Sequence, residues 1–166
     1  MGSYDLNRLN NNEFEHLIQS LSSEMFKYKN IIFGSGPDGA REATYEGNCK
    51  INNNDSKGYH VIQAKFKECS SKKDNMDWEW AKKEFEKEIR KFQDNKKTIR
   101  TPEVYLFFTN IKFTPVNKTG GRDKIEEIKN KYLNLIPNIY IYGYDDICRF
   151  LDNNRDIATA YSSFIL

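Results

Sequence analysis

The feature of the sequence that most constrains the fold is a short, almost uninterrupted apolar run at residues 104–108. A segment of this length without polar alternation is typical of a β-strand that is buried on both faces. Such a strand needs a helical layer on each side of its sheet, because both of its faces must be shielded from water. The run therefore predicts an α/β sandwich, provided that the rest of the chain supplies helices and further strands.

Helical periodicity and β-forming segments fill in that sandwich. Apolar residues at helical spacing predict a helix over 11–27, with Asn11 or Asn12 as its cap, and a second helix over 77–96. Shorter helices are predicted over 123–133, 145–151 and 155–164. Strands are predicted over 42–47, 59–66 and 139–142, with a short strand or turn at 31–33 and a polar turn over 52–58. The expected architecture is a central mixed sheet of about four or five strands flanked by helices.

Composition narrows the class of protein. A chain of 166 residues without an interdomain linker or an internal repeat fits a single domain over 1–166. No apolar run reaches the roughly 20 residues of a membrane span, and the first residues lack the features of a secretion signal. Three widely spaced cysteines argue against a disulfide framework. We therefore expect a cytoplasmic protein that does not enter membranes.

The strongest chemical feature is the predicted hairpin formed by the strands 42–47 and 59–66. Alternation along a strand places Gln63 and Lys65 on one face and turns Ala64 to the other. Glu42, which opens the neighbouring strand, can meet them at one edge of the sheet. A carboxylate and an amide oxygen are suitable ligands for Mg²⁺, and an ammonium group can stabilise charge on a phosphate. The trio therefore fits phosphodiester hydrolysis, although Gln-x-Lys is also common in ordinary solvated strands.

The loop before the hairpin extends this pattern. Residues 36–47 read GPDGAREATYEG, and residues 61–65 read VIQAK. Together they resemble the Mrr-like branch of the PD-(D/E)xK nucleases, in which the lysine motif commonly reads Gln-x-Lys. The resemblance implies a restriction-endonuclease-like three-layer sandwich, hydrolysis of DNA, and Mg²⁺ as cofactor, for which Mn²⁺ can substitute.

The resemblance also assigns roles to individual residues. Glu42 takes the position of the metal-binding acid that opens the strand, and Gln63 and Lys65 complete the catalytic motif. Asp38 matches an earlier aspartate of the loop, and Glu15 matches an acid on the first helix; both are implied as further catalytic or metal-binding residues. The chain departs from the family pattern at Ala40, where a glycine is usual, and at Glu42, where an aspartate is usual.

The later part of the chain carries a second resemblance. Residues 104–115 and 142–153 are similar to the corresponding segments of the N-terminal effector nuclease in bacterial antiphage STAND NTPases of the Avs type. This resemblance implies an excised N-terminal effector domain, whose ATPase and sensor domains are missing from this chain. It also implies double-stranded DNA as the partner and a homo-oligomer in the full-length context.

Charge gives a weaker signal for nucleic acid. The net charge is only +2, so any affinity for DNA must come from local clusters of basic residues. Arg41, Lys67, Lys72 and Lys73 are the expected contacts to DNA. The main alternative to a nuclease is a nuclease-derived DNA-binding or oligomerisation module with little catalysis, and cleavage of RNA or another phosphodiester is a third possibility.

Overall fold

The computed structural model describes residues 4–27, 32–33, 43–68, 74–113 and 120–166. Within them the chain forms one mixed β-sheet with strand order β1-β2-β3-β4-β5. The pairs β1–β2 and β2–β3 are antiparallel, whereas the pairs β3–β4 and β4–β5 are parallel. The strands are β1 Ile32–Phe33, β2 Ala43–Ile51, β3 Asn54–Lys65, β4 Val104–Thr109 and β5 Asn138–Tyr142. The predicted α/β fold with a mixed sheet flanked by helices is thereby confirmed.

Helices cover both faces of this sheet. One face packs on residues of α1, α4, α5 and α6, and the other face packs on α2 and α3. Among the described residues, every helix is too short or too polar to span a lipid bilayer. The helices are α1 Asn11–Phe26, α2 Asp74–Asp94, α3 Gly121–Asn130, α4 Tyr144–Asn153, α5 Arg155–Ala160 and α6 Ser162–Ile165, and a 3₁₀ turn at Leu6–Arg8 precedes them.

The interior strand β4 explains why the molecule has two cores. All six of its residues are buried, as the apolar run predicts. Phe107 packs in the core beneath α2 and α3, whereas Phe108 packs in the core beneath α1. Successive side chains of a strand point to opposite faces of the sheet. A strand that is apolar at every position therefore contributes side chains to both cores.

The helix α1 begins at Asn11, as predicted, but its cap differs from the predicted one. Asn10, and not Asn11 or Asn12, is the cap: its side chain accepts a hydrogen bond from the backbone N–H of Glu13 at 2.8 Å. The Glu13 carboxylate accepts one from the backbone N–H of Asn10, also at 2.8 Å. This reciprocal capping box identifies Asn10 as the cap, because both of its hydrogen bonds join Asn10 to Glu13.

The β2–β3 hairpin is longer and tighter than predicted. The expected polar turn over 52–58 is wrong: only Asn52 and Asn53 form the turn, with φ angles of 51° and 65°. Asparagine tolerates this left-handed conformation, which a two-residue hairpin turn requires at both positions. Gly47 and Gly58 face each other in the ladder with φ angles of 145° and 116°, a backbone conformation that favours glycine.

The other helix boundaries also differ. The third helix is Gly121–Asn130 where 123–133 was predicted, and the fourth is Tyr144–Asn153 where 145–151 was predicted. The second helix begins at Asp74, three residues before the predicted start, and ends at Asp94. The single helix predicted over 155–164 is divided into α5 and α6 at Tyr161, whose φ of −100° and ψ of 6° leave the helical region. Boundaries are the weakest part of a periodicity argument, because apolar spacing reports which face is buried and not where the backbone turns.

Candidate active site

The alternation of β3 decides which layer its polar residues meet. Val61 packs in the core beneath α2, whereas Ile62 and Ala64 pack in the core beneath α1. Gln63 and Lys65 therefore share a face with Val61 and point to the layer of α2. The prediction that these two side chains lie on one face, with Ala64 on the other, is confirmed.

Gln63 is fully buried at the interface of the sheet and α2. Its side-chain oxygen Oε1 accepts a hydrogen bond from the hydroxyl group of Tyr105, which lies on the adjacent strand β4. Among the described residues, its Nε2 atom has no hydrogen-bond partner at ordinary distance. A carbonyl oxygen has two lone pairs, so Oε1 retains the capacity to accept one further contact.

Lys65 is held by carboxylates of α2. Its Nζ atom lies 2.9 Å from Oε1 of Glu88 and 3.8 Å from Oε2 of Glu84. The same Glu88 oxygen lies 3.0 Å from Nζ of Lys91, one helical turn further along α2. We call Lys65, Glu84, Glu88 and Lys91 the ionic cluster. It joins the end of β3 to the middle of α2 through charge-assisted hydrogen bonds, which are stronger than neutral ones.

Glu88 is the buried centre of the ionic cluster, with a side chain that is 0% exposed. Burial by itself raises the pKa of a carboxyl group, because it penalises the charged form. The ammonium groups of Lys65 and Lys91 and the Gln63 amide outweigh that penalty, so the pKa of Glu88 lies below its usual value. Oε2 of Glu88 and Nε2 of Gln63 have no hydrogen-bond partner among the described residues. We therefore interpret the effect of Gln63 on the pKa of Glu88 as that of a nearby amide dipole.

Lys67 lies just beyond β3, at the edge where the parallel strands end. Its Nζ atom pairs with Oδ1 of the buried Asp77 at 2.9 Å. Its backbone N–H donates to Oδ1 of Asn110 at 2.8 Å, and its carbonyl accepts from Nδ2 of Asn110 at 3.0 Å. Lys67, predicted to contact DNA, is therefore fixed by a neighbouring acid, although a quarter of its side chain remains exposed.

The acid predicted on the first helix lies in another layer. Glu15 is a half-buried residue of α1. The apolar residues of α1 share a core with Ile62 and Ala64, on the face of β3 opposite to Gln63 and Lys65. The structure therefore does not bring Glu15 onto the face of β3 that holds the lysine motif. The remaining predicted site residues lie outside the described residues: Asp38, Arg41, Glu42, Lys72 and Lys73.

The nearest described neighbour of Glu42 in the chain is Ala43, the first residue of β2. Ala43 pairs with Ile62 in the antiparallel ladder, directly before Gln63 on β3. The strand that Glu42 precedes in sequence thus begins beside the Gln63-x-Lys65 segment. This is the pairing that the predicted hairpin requires.

Sequence reasoning missed the residues that surround the lysine, Glu88 above all. The signal was present: positions 81, 85, 88 and 92 repeat at helical spacing, and three of them are the buried apolar residues Ala81, Phe85 and Phe92. A glutamate at the remaining position of such an apolar stripe is expected to be buried, and a buried carboxylate needs a cationic partner. Tyr105 gave no comparable signal, because it looked like one more apolar residue of the central strand.

The described residues can be tested as ligands for a divalent cation. They contain no group of three or more His, Cys, Asp or Glu side chains placed to hold a metal ion. Glu88 does not fit this role, because two ammonium groups within 3.0 Å already compensate its charge. Gln63 Oε1 fits as a single oxygen donor. A metal site at this edge therefore depends on carboxylates outside the described residues.

Comparisons of the chain with family models, with curated proteins and with solved structures found no match. The functional argument consequently rests on the residues themselves: a glutamine and a lysine on one face of a central strand, a buried glutamate that holds the lysine, and the start of β2 beside them.

Proposed function

We propose that the chain is a metal-dependent DNA endonuclease domain with a restriction-endonuclease-like arrangement of its sheet and helices. One observation carries this proposal. Gln63 and Lys65 lie side by side on one face of β3, and the strand that follows Glu42 in sequence pairs with β3 directly beside them. A carboxylate, an amide oxygen and an ammonium group in one place suit the cleavage of a phosphodiester bond.

The proposed roles follow from the chemistry of each group. The Lys65 ammonium, held at the end of β3, would stabilise the negative charge that develops on the phosphate during attack by water. Glu42, Asp38 and the Oε1 atom of Gln63 would hold Mg²⁺, with Mn²⁺ as a substitute. When bound, the metal would polarise the phosphoryl oxygen and lower the pKa of a bound water. Glu15 is given no role in this arrangement, because α1 packs against the opposite face of β3.

The proposed partner is double-stranded DNA. Cutting both strands of a duplex takes two sites, so we propose that the domain works as a homo-oligomer in a longer cytoplasmic protein of antiphage defence, with ATPase and sensor domains. Arg41, Lys67, Lys72 and Lys73 are the proposed phosphate contacts. Of these, Lys67 lies in the described part, at the same sheet edge as Lys65.

The experiment that tests the proposal is cleavage of a supercoiled plasmid over a wide range of protein concentration, with Mg²⁺ or Mn²⁺ and with an EDTA control. The proposal predicts metal-dependent nicking or linearisation by the wild type, and its loss in Glu42→Gln, which keeps the size of the side chain but removes the charge. Metal-independent cleavage, or equal cleavage by Glu42→Gln, would contradict it.

A second function is favoured by a different observation. Gln63 is fully buried, and Lys65 is paired with Glu88 and Glu84, so both are engaged within the protein. We therefore also consider a nuclease-derived module that binds DNA or mediates oligomerisation with little catalysis. This alternative predicts DNA binding, or self-association, by the wild type in the absence of metal-dependent cleavage at any protein concentration.

A further inference from the structure

A buried glutamate in the middle of a helix needs an explanation. Glu88 occupies a position of α2 that its helical spacing would assign to an apolar residue, between the buried residues Phe85 and Phe92. Removing a carboxylate from water costs several kcal/mol unless it is paired and hydrogen-bonded. Apolar residues pack more favourably at such positions, so packing does not explain a glutamate at position 88. Its charge must have a role of its own.

The contacts of Glu88 connect it directly to the lysine motif. Lys65 contacts the buried Glu88 at 2.9 Å, whereas its contact to the partly exposed Glu84 is 3.8 Å long. A lysine side chain has four rotatable bonds and a point charge that can take many positions. A buried, fixed carboxylate selects one of those positions, and the selected one lies next to Gln63 on β3.

Lys91 contacts Glu88 as Lys65 does, but it lies on α2 and not on β3. Both ammonium groups contact the same Glu88 oxygen at nearly the same distance, 3.0 Å and 2.9 Å. Their side chains are also similarly exposed, 29% and 21%. Lys91, however, comes from α2 itself and belongs to no motif of β3. It balances the charge of Glu88, and it provides a matched control for Lys65.

We propose that Glu88 is the positioning residue for Lys65: it fixes the ammonium group beside Gln63, where the phosphate of the nucleic acid would lie. The expected effect of Glu88 on cleavage rests on the proposed nuclease function. Its effect on the position of Lys65 rests on the contacts alone. A displacement of about 1 Å in a reacting group can lower the rate about 100-fold, so a residue that fixes Lys65 would have a large effect on turnover.

The structural part is tested by the reactivity of individual lysines toward an amine-acylating reagent, read by peptide mass spectrometry. In Glu88→Gln we expect Lys65 to react about tenfold faster than in the wild type, the factor that corresponds to losing one ordinary charge-assisted contact. In Lys91→Met the reactivity of Lys65 should stay within about twofold, because its own contact to Glu88 is intact. Unchanged Lys65 reactivity in Glu88→Gln would overturn the proposal.

The functional part is tested by cleavage kinetics of the same variants. We expect kcat of Glu88→Gln to fall about 10- to 100-fold while KM stays within about threefold, because the group that is displaced acts on the transition state and not on binding. Glu88→Asp, which keeps the charge, should recover part of kcat. A loss in Glu88→Gln no larger than that in Lys91→Met would show that Glu88 is only structural.

The two tests separate the two proposals. If the wild type does not cleave DNA, the proposed function fails, while lysine reactivity still decides whether Glu88 fixes Lys65. If Glu88→Gln does not fold, the double variant Glu88→Gln/Lys91→Met, which keeps the charge balance of the ionic cluster, is compared with Lys91→Met alone.

Discussion

At the scale of single residues, the site is organised around a charge that no solvent reaches. Glu88 is stabilised as a carboxylate chiefly because Lys65 and Lys91 contact the same oxygen. Strand alternation was enough to predict that Gln63 and Lys65 share a face. It could not predict their partners, because those come from a helix and a strand that are distant in sequence, and only the fold brings them together.

The pH dependence of stability tests this description of Glu88. Its pKa is lowered in the folded protein, so its contribution to stability is present above the unfolded glutamate pKa of about 4.3 and is lost as the pH falls through the lower folded value. We expect Glu88→Gln to lower the free energy of unfolding by about 1–3 kcal/mol at pH 7. The difference from the wild type should shrink below about pH 4.

Urea unfolding of both proteins from pH 7 to pH 3 measures this difference. A gap between wild type and Glu88→Gln that stays constant over the whole range would contradict a charged, lysine-paired Glu88.

At the scale of elements, the two long helices were predictable and the hairpin turn was not. Apolar spacing located α1 and α2 within a few residues, because those helices bury one regular face. The predicted turn of the hairpin was wrong. The polar segment 52–58, which ends in a glycine, resembles a loop in sequence, but most of it belongs to β3. The register of β2 against β3 holds it there, and that pairing is non-local information that composition does not carry.

The turn itself gives a prediction. Asn53 is exposed and has a φ of 65°, which a β-branched residue adopts only with strain. We expect Asn53→Val to lower the free energy of unfolding by about 1–2 kcal/mol. Asn53→Gly should leave it equal or higher, since Asn-Gly is the preferred sequence of this type of turn. Urea midpoints of the three proteins decide the matter, and equal midpoints for Asn53→Val and the wild type would refute the assigned turn.

At the scale of the whole molecule, one strand joins two cores. The apolar run at 104–108 predicted a central strand covered on both faces, and the structure confirms it. The order of the strands, by contrast, is known only from the structure, because many connections are compatible with the same set of helices and strands. The position of the candidate site, at the end of β3 where the parallel strands finish, is a consequence of that order.

The two cores are expected to unfold as one unit. Trp78 and Trp80 pack against the core beneath α2, so their fluorescence reports on that side of the sheet. Phe108 belongs to the opposite core. We expect Phe108→Leu to lower the free energy of unfolding by about 1 kcal/mol and to shift the fluorescence and circular dichroism transitions equally. A shift in circular dichroism alone would indicate that the cores unfold separately.

The most direct test of the nuclease proposal compares two lysines that contact the same carboxylate. Initial rates of plasmid cleavage are measured for the wild type, Lys65→Met and Lys91→Met at equal folded concentration. If Lys65 acts in the reaction, Lys65→Met abolishes metal-dependent cleavage, whereas Lys91→Met, which removes an equivalent ion pair, retains it within about threefold. Equal losses of cleavage rate in the two variants would contradict the proposal. Lys65 would then matter only as a structural partner of Glu88, as Lys91 does.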